Sequence, residues 1–392
     1  MMAFAFYSVP QVVFGVGEFR RAGEIAAGLG RVAFIIYNGS AVQAEKLVEL
    51  LKAADVASSL YRQRGEPVVS GIDQAVEEAR RAGCDVLIGL GGGSAIDAAK
   101  AVAALLANGG LASDYMEVVG KGQKINKAAM PWIAIPTTAG TGAEATRNAV
   151  IGLPDKNFKA SIRNELLLPR VALVDPQLGV EVPPEVTARS GMDALCQLIE
   201  SYTSTGASAM TDALALQGIP LAGVALPRAF HDGGDLAARQ DMALAALFSG
   251  MTLTNAGLGA VHGFAAPIGA NFPAPHGAVC AALLAPIMRA NVTALLEHAD
   301  KPASQPTLRR YAQIGRLLAH RPELDDTSAY QYGIWKIEAM VEELAIPKLS
   351  RFGLKTEDIP AMVELAKRAS SMRYNPVKLS DEALAGALSS AI

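Results

Sequence analysis

Residues 84–100 read CDVLIGLGGGSAIDAAK, and no other stretch limits the fold so tightly. Val86-Leu87-Ile88 is a short apolar run, the pattern of a strand buried on both faces of a parallel sheet. Gly89, Gly91, Gly92 and Gly93 break that run, Ser94 stands as an N-cap, and 95–106 reads as a helix rich in alanine. Strand, glycine turn and helix start, in that order, turn bare N–H groups and the positive end of a helix dipole towards a phosphate. A Cβ on those glycines would block close approach or forbid positive φ. A plain βα turn needs one or two glycines, not three in a row. The spacing is not the dinucleotide pattern G-x-G-x-x-G, so the stretch alone speaks for phosphate binding and not for a named cofactor.

Around this stretch the chain alternates. Strands are expected at 32–37, 58–62, 132–135 and 171–174, with helices at 41–54 and 71–82. Strands separated by helices of that length pair in parallel through right-handed crossovers, and ligands then sit at their carboxyl ends. The loops 89–94 and 136–142 both follow strands directly, so both should open onto one crevice. Near Val182-Pro183-Pro184 the character changes, and Pro183-Pro184 before Glu185 suits a helix start. Beyond it only helices are expected: 184–203, 208–230, 234–257, 277–292, 303–319, 326–345, 355–370 and 381–391. A domain boundary near residue 180 follows, which suits a chain of 392 residues, too long for one ordinary core.

Hydrophobic content of 51% with 19% charge fits a well-buried, oligomeric globular protein. A net charge of −3 offers no basic footprint, so nucleic acid is not an expected partner. Cys84, Cys196 and Cys280 are an odd set without paired spacing, which fits a reducing compartment. Residues 1–13 lack a basic segment and a cleavage-like site, so a cytoplasmic protein without a signal peptide is expected. The most membrane-like stretch, 242–270, is interrupted by Ser249, Thr252, Thr254, Asn255 and His262, and a buried core helix explains it better than a span.

Asp193 and Gln197 lie four apart on an expected helix and share one face. His262 and His276 flank a glycine- and proline-rich turn, HGFAAPIGANFPAPHG, in the most apolar part of the chain. Each alone reads best as a satisfied core histidine. Together they read as ligands, because a divalent metal wants converging imidazoles and a carboxylate. His231, His298 and His320 stand among charged residues and read as solvated surface. The segment from Pro136 to Glu144, PTTAGTGAE, crowds hydroxyls and glycines after a strand; donors to a phosphate or ribose and a plain turn are equally good readings. Lys156 and Lys159 follow a strand-like AVIGL run and add positive charge, although solvated lysines are the default.

GGGSAIDAAK, PTTAGTGAEAT, the DPQL, PP and GMDAL run and HGFAAPIGANFPAPHG together resemble the iron-containing (group III) alcohol dehydrogenases, in that family's order and spacing. FGVGEF and YNPVKLS near the two ends resemble it too, so the likeness spans essentially the whole chain. The resemblance implies a Rossmann-like α/β domain over 1–180 that binds a dinucleotide. An all-helical metal and substrate domain over 181–392 follows, with the active site in the cleft between them. It also implies a homodimer that interconverts a small alcohol with its aldehyde or ketone, using NAD or NADP and a divalent metal, Fe²⁺ or Zn²⁺. Gly91, Gly92, Gly93 and Ser94 then match the pyrophosphate loop, with Asp97 on the next helix. Thr137, Thr138, Thr141, Asn148, Lys159 and Leu178 match further cofactor contacts. Asn38 stands where many members carry an Asp that binds the adenosine ribose and repels a 2′-phosphate, so NADP(H) is expected to be at least tolerated.

The family's metal ligands are Asp, His, His, His. This chain keeps Asp193, His262 and His276 but has Gln197 at the second position, where an amide oxygen is a harder and weaker ligand than imidazole. Ala266, four residues after His262, replaces another family histidine and removes a candidate proton relay. Through the resemblance, Asp193, His262 and His276 hold the metal that polarises the substrate oxygen while hydride passes to nicotinamide C4. A metal-independent reductase similar to the maleylacetate reductases is the nearest rival, favoured by Gln197 and opposed by the retained Asp and histidine pair. A lyase similar to dehydroquinate synthase lacks the extra basic residues it would need. A nucleotide-binding sensor with a decayed site is the reading outside enzymes.

Overall fold

The computed structural model describes residues 3–117, 120–156, 158–298, 300–302 and 304–392. Contacts divide the chain into two compact units, one of Tyr7–Glu181 and one of Val182–Ile392 joined by the first few residues up to Phe6.

The first unit runs β1 (Gln11–Phe14), α1 (Ala22–Ala27), β2 (Val32–Tyr37), α2 (Ala41–Ala53), β3 (Ala57–Arg62), α3 (Val69–Ala82), β4 (Val86–Gly91), α4 (Gly93–Asn108), α5 (Ala112–Tyr115), β5 (Trp132–Pro136), β6 (Asn148–Leu153), β7 (Phe158–Arg163) and β8 (Val171–Val174). Six strands form one parallel sheet in the order β1-β8-β5-β4-β2-β3. Every residue of β4 is buried, as a central parallel strand covered on both faces requires. One core cluster joins Phe34, Ile36 and Leu87 to α3 and α4, and the other joins Ile35, Ile88 and Ile135 to α1 and α2.

Several expectations need correcting. β4 does not stop at Ile88, because Gly89 and Gly91 stay in register with Ala134 and Pro136 of β5. Helix α4 starts at Gly93 with Gly92 as its N-cap, so Ser94 lies inside the first turn and caps nothing. β1 was not foreseen; four residues are too few for a clear period. β6 and β7 form an antiparallel hairpin outside the main sheet. The connection between them is too short for a crossover, which forces that pairing.

The second unit consists of α6 (Pro184–Thr203), α7 (Ala209–His231), α8 (Leu236–Ala256), α9 (Ala260–Asn271), α10 (His276–Glu297), α11 (Ser304–Ala319), α12 (Asp326–Glu343), α13 (Ile359–Arg368) and α14 (Asp381–Ala391), with short 3₁₀ turns between. The turn expected between His262 and His276 is largely helix α9, despite its glycines and Pro267. Burial of Val261, Phe264, Ala265 and Ile268 outweighs the poor propensity of those residues. Nor is 242–270 one continuous helix: α8 and α9 meet at 100°, with Gly257 at φ +75° making the break. The expected helix 355–370 divides into a 3₁₀ turn, Thr356–Asp358, and α13. α7 and α10 are long and apolar enough to cross a membrane by length and composition. Both pack against α6 and other helices of this unit.

Candidate active site

In the sheet unit the features of interest gather at the carboxyl ends of β2, β4 and β5. Gly91 ends β4 at φ +143°, and a Cβ there would stand 2.0 Å from Asn38 Oδ1. That closeness has a purpose: Asn38 Oδ1 accepts the Gly92 N–H at 2.9 Å. Asn38 is thus engaged with the glycine turn itself. The next two N–H groups, of Gly93 and Ser94, open α4 and have no acceptor among the described residues. They leave two donors at the positive end of a 16-residue helix. The Thr137 N–H donates to the Gly91 carbonyl at 3.0 Å. Thr138 Oγ1 and Thr141 Oγ1 lie 3.3 and 2.9 Å from where Cβ atoms on Gly92 and Gly93 would stand. The threonine loop therefore packs directly on the glycine loop.

Other positions named from the resemblance already have protein partners. Asp97 Oδ2 accepts the Val150 N–H at 3.0 Å, and its Oδ1 is 3.5 Å from Lys100 Nζ. Lys100, which the sequence did not single out, is fully buried and donates to Ala143 O, Thr146 Oγ1 and Asn148 O at 2.9, 2.7 and 2.7 Å. Burial lowers the Lys100 ammonium's pKa, with Asp97 opposing. Burial also pushes the Glu144 carboxyl up to about 7, with Lys100 partly opposing. Asn148 keeps a buried Oδ1 with no donor among the described residues, an open acceptor where a ligand is expected. Lys159 pairs with Glu66, and the Leu178 carbonyl accepts from Gln43 Nε2 at 3.0 Å. The Lys156 side chain lies outside the described residues. Two free donors and one orphaned acceptor suit the phosphate and hydroxyl groups of a dinucleotide.

In the helical unit, α6 lines up Asp193, Gln197 and Glu200 on one face, four and three residues apart. α9 supplies His262, and α10 supplies His276 and, one turn on, Cys280. Gly277 is what lets α10 reach α6, since a Cβ there would stand 2.2 Å from the Arg189 carbonyl oxygen. Asp193 Oδ1 sits 3.4 Å from His262 Nε2 and 3.6 Å from His276 Nε2. That oxygen is buried with no hydrogen-bond donor among the described residues. Asp193 Oδ2 accepts from Gln197 Nε2 at 3.0 Å, and Gln197 Oε1 accepts from Ser249 Oγ at 2.8 Å. Gln197 therefore turns its amide N–H towards the cluster and its oxygen away from it.

Two further residues belong here that the sequence reading passed over. Glu200 Oε2 lies 2.7 Å from His262 Nδ1, and Oε1 accepts the Val261 N–H at 2.8 Å. Burial works to lower the His262 pKa, but Cys280, Asp193 and Glu200 outweigh it and hold the ring well above its ordinary value. Cys280 Sγ lies 3.7 Å from His262 Nε2 and 3.6 Å from His276 Nε2. Spacing was the available signal for both: Glu200 is two turns after Asp193, and Cys280 is one turn after His276. Ala266 is exposed on α9 with no group that carries a proton. His231, His298 and His320 are exposed, as solvated histidines should be.

The electrostatics couple these groups. Burial works to raise the Asp193 carboxyl, but His276 and His262 outweigh it and hold it below its ordinary value. Cys280 and Asp193 push His276 up to about 9 against burial. Burial pushes the Cys280 thiol well up. A carboxylate oxygen, two imidazole nitrogens and a sulfur, all within 4.8 Å of one another, are a donor set that suits a divalent metal. The orphaned Asp193 Oδ1 points the same way, since only a cation or a donor would satisfy it.

Residues 10–176 match the iron-containing alcohol dehydrogenase family, and 187–392 match the C-terminal family of the same enzymes. Choline dehydrogenase of Bacillus subtilis is 31% identical over 390 residues, covering 98% of this chain and 94% of its own length. NAD-dependent methanol dehydrogenase of Bacillus methanolicus is 31% identical over 379 residues, covering 95% of each chain. Among solved structures, 1,3-propanediol oxidoreductase superposes with a TM-score of 0.92 at 28% identity and full coverage of both chains. Full-length matches in sequence and fold, in a chain carrying this donor cluster, leave one conclusion: the protein is an oxidoreductase of the iron-containing alcohol dehydrogenase family.

Proposed function

We propose that this enzyme moves a hydride between NAD(H) or NADP(H) and a small alcohol and its aldehyde or ketone, with help from a divalent metal. The observation that carries the reading is the buried, unpartnered Asp193 Oδ1 facing the Nε2 atoms of His262 and His276. In this reading 1–180 is the dinucleotide-binding domain and 181–392 the metal and substrate domain. When bound, the metal supplies Lewis-acid polarisation of the substrate oxygen and lowers the alcohol's pKa. Asp193, His262 and His276 hold it, and Glu200 keeps the His262 ring turned with its Nε2 inward. The free N–H groups of Gly93 and Ser94 take the pyrophosphate and so orient the nicotinamide. Hydride transfer requires that nicotinamide to reach a substrate held at the Asp193 cluster. Ala266 offers no relay, so the substrate proton leaves through water or ribose hydroxyls.

Asn38 brings no negative charge to the end of β2, which supports use of NADP(H) beside NAD(H). A cytoplasmic homodimer is the expected form, on the strength of the family resemblance. Steady-state assays of small alcohols and aldehydes with both cofactors, with and without added Fe²⁺ and Zn²⁺, test the reading. Turnover that rises with metal supports it. Full turnover in protein freed of iron and zinc would favour the metal-independent rival, and a strong preference for NAD(H) would refute the cofactor expectation.

A further inference from the structure

We propose that Cys280 is the fourth protein ligand of the metal in this chain, standing in for the imidazole that Gln197 has replaced. The inference rests on the metal reading above and adds to it the identity of a ligand. Gln197 is badly turned for coordination, because its amide N–H faces Asp193 and its oxygen faces Ser249 Oγ, away from the cluster. A cation beside that N–H would meet the wrong end of the dipole. Cys280 comes from the other wall, on the face of α10 that already carries His276 one turn earlier.

The separations between donor atoms fit one metal. Tetrahedral coordination with bonds of about 2.0–2.1 Å to nitrogen or oxygen and about 2.3 Å to sulfur sets N···O near ~3.3 Å and N···S near ~3.6 Å. Here Asp193 Oδ1 stands 3.4 and 3.6 Å from the two Nε2 atoms, and Cys280 Sγ stands 3.7 and 3.6 Å from the same two. The plain alternative is a buried thiol hydrogen-bonded to an imidazole. One S–H reaches only one of the two nitrogens, and Asp193 Oδ1 then depends on imidazoles at 3.4 and 3.6 Å, longer than the ~2.9 Å of a charge-assisted hydrogen bond. A single cation satisfies all four atoms at once.

Coordination takes the proton from the Cys280 thiol to solvent and leaves a thiolate. With the Asp193 carboxylate, two negative ligands then balance the 2+ charge. A thiolate also makes the set softer than one carboxylate with three imidazoles, which moves selectivity further towards Zn²⁺ over Fe²⁺. Cys196 provides the control. Its sulfur lies 3.9 Å from His262 Nδ1, the nitrogen that faces Glu200 and not the cluster.

The experiment is a Co²⁺ titration of chelator-treated full-length protein, read by absorbance and by the binding isotherm. Wild type and Cys196→Ser should bind one Co²⁺ with a near-ultraviolet thiolate-to-Co²⁺ charge-transfer band. Cys280→Ser should lose the band and bind at least about tenfold more weakly, since even outer-shell partners cost that much. Adding Gln197→His to Cys280→Ser should restore affinity without the band, which separates a lost ligand from a misfolded protein. The same double variant should show a smaller Zn²⁺-over-Fe²⁺ preference than wild type. Co²⁺ bound by wild type and lost in Asp193→Ala, but without a thiolate band, overturns the Cys280 assignment and leaves the metal reading standing. No Co²⁺ uptake by wild type overturns both.

Discussion

Each unit of this protein buries a charged side chain, and the two are treated differently. In the sheet unit Lys100 is 0% exposed, and its ammonium meets three neutral acceptors at 2.7–2.9 Å and the Asp97 carboxylate at 3.5 Å. In the helical unit Asp193 is 1% exposed, yet only one of its carboxylate oxygens has a donor. A satisfied buried ion ties structure together; an unsatisfied one costs stability unless something else arrives to pair with it. Lys100 therefore reads as a strut that holds the loop from Ala143 to Asn148 against α4, and Asp193 as half of a binding site.

The contrast can be broken by experiment. The largest effect should come from Asp193→Ala, which removes the carboxylate of the proposed metal site. Turnover should fall by at least about a thousandfold, the size of several kcal/mol of lost charge stabilisation. NAD(P)H binding, followed by fluorescence, should change little. Wild-type turnover in that variant would remove the basis for a metal site. Lys100→Met makes the opposite test, since it strands three neutral acceptors and the Asp97 carboxylate in the other unit. Unfolding in urea should show a loss of about 3–5 kcal/mol, and a loss below about 1 kcal/mol would deny Lys100 the role of strut.

Glu200→Gln sharpens the helical side of the comparison. It keeps the shape but weakens the hold on His262 Nδ1, so metal affinity should fall about 10- to 100-fold with the sheet unit untouched. Unchanged affinity would make Glu200 a packing residue only. The smallest effect concerns Glu144, beside the Lys100 strut. Its folded-state pKa is raised from 4.5 to about 7, so the folded chain holds this proton more tightly than the unfolded chain does. Folding therefore loses stability as pH rises between those two values, and the loss is complete above the upper one. Glu144→Gln should raise the melting temperature by a few degrees at pH 8, leave it nearly unchanged at pH 4, and flatten the profile between. Parallel profiles for the two proteins would show that Glu144 is not the group responsible.

Much of the sheet unit was legible in the chain because its signals are local. Val32–Tyr37 and Val171–Val174 fall where apolar runs between breakers say they should. The misses have physical causes. Ser94 was read as a cap from its residue type, but Gly92 holds that position because β4 runs on to Gly91 in its ladder with β5. The glycines and prolines between His262 and His276 point to a turn, whereas tertiary burial of α9 overrides propensity over most of that stretch. The threonine loop was undecided between turn and ligand cradle. Only its packing on the glycine turn shows the two loops as one surface.

What the sequence determined by itself was which donor types exist and which share a helix face: Asp193 with Gln197 and Glu200, His276 with Cys280. The 3.6-residue turn makes that a local property. Only the tertiary structure decided which faces meet. The close approach of α10 to α6 at Gly277 put a sulfur where the chain lacks an imidazole, and hydrogen bonds from Ser249 and to Asp193 turned Gln197 away from ligation. Spacing along one helix carries no information about its neighbour's rotation or distance, and the make-up of the donor cluster depends on both.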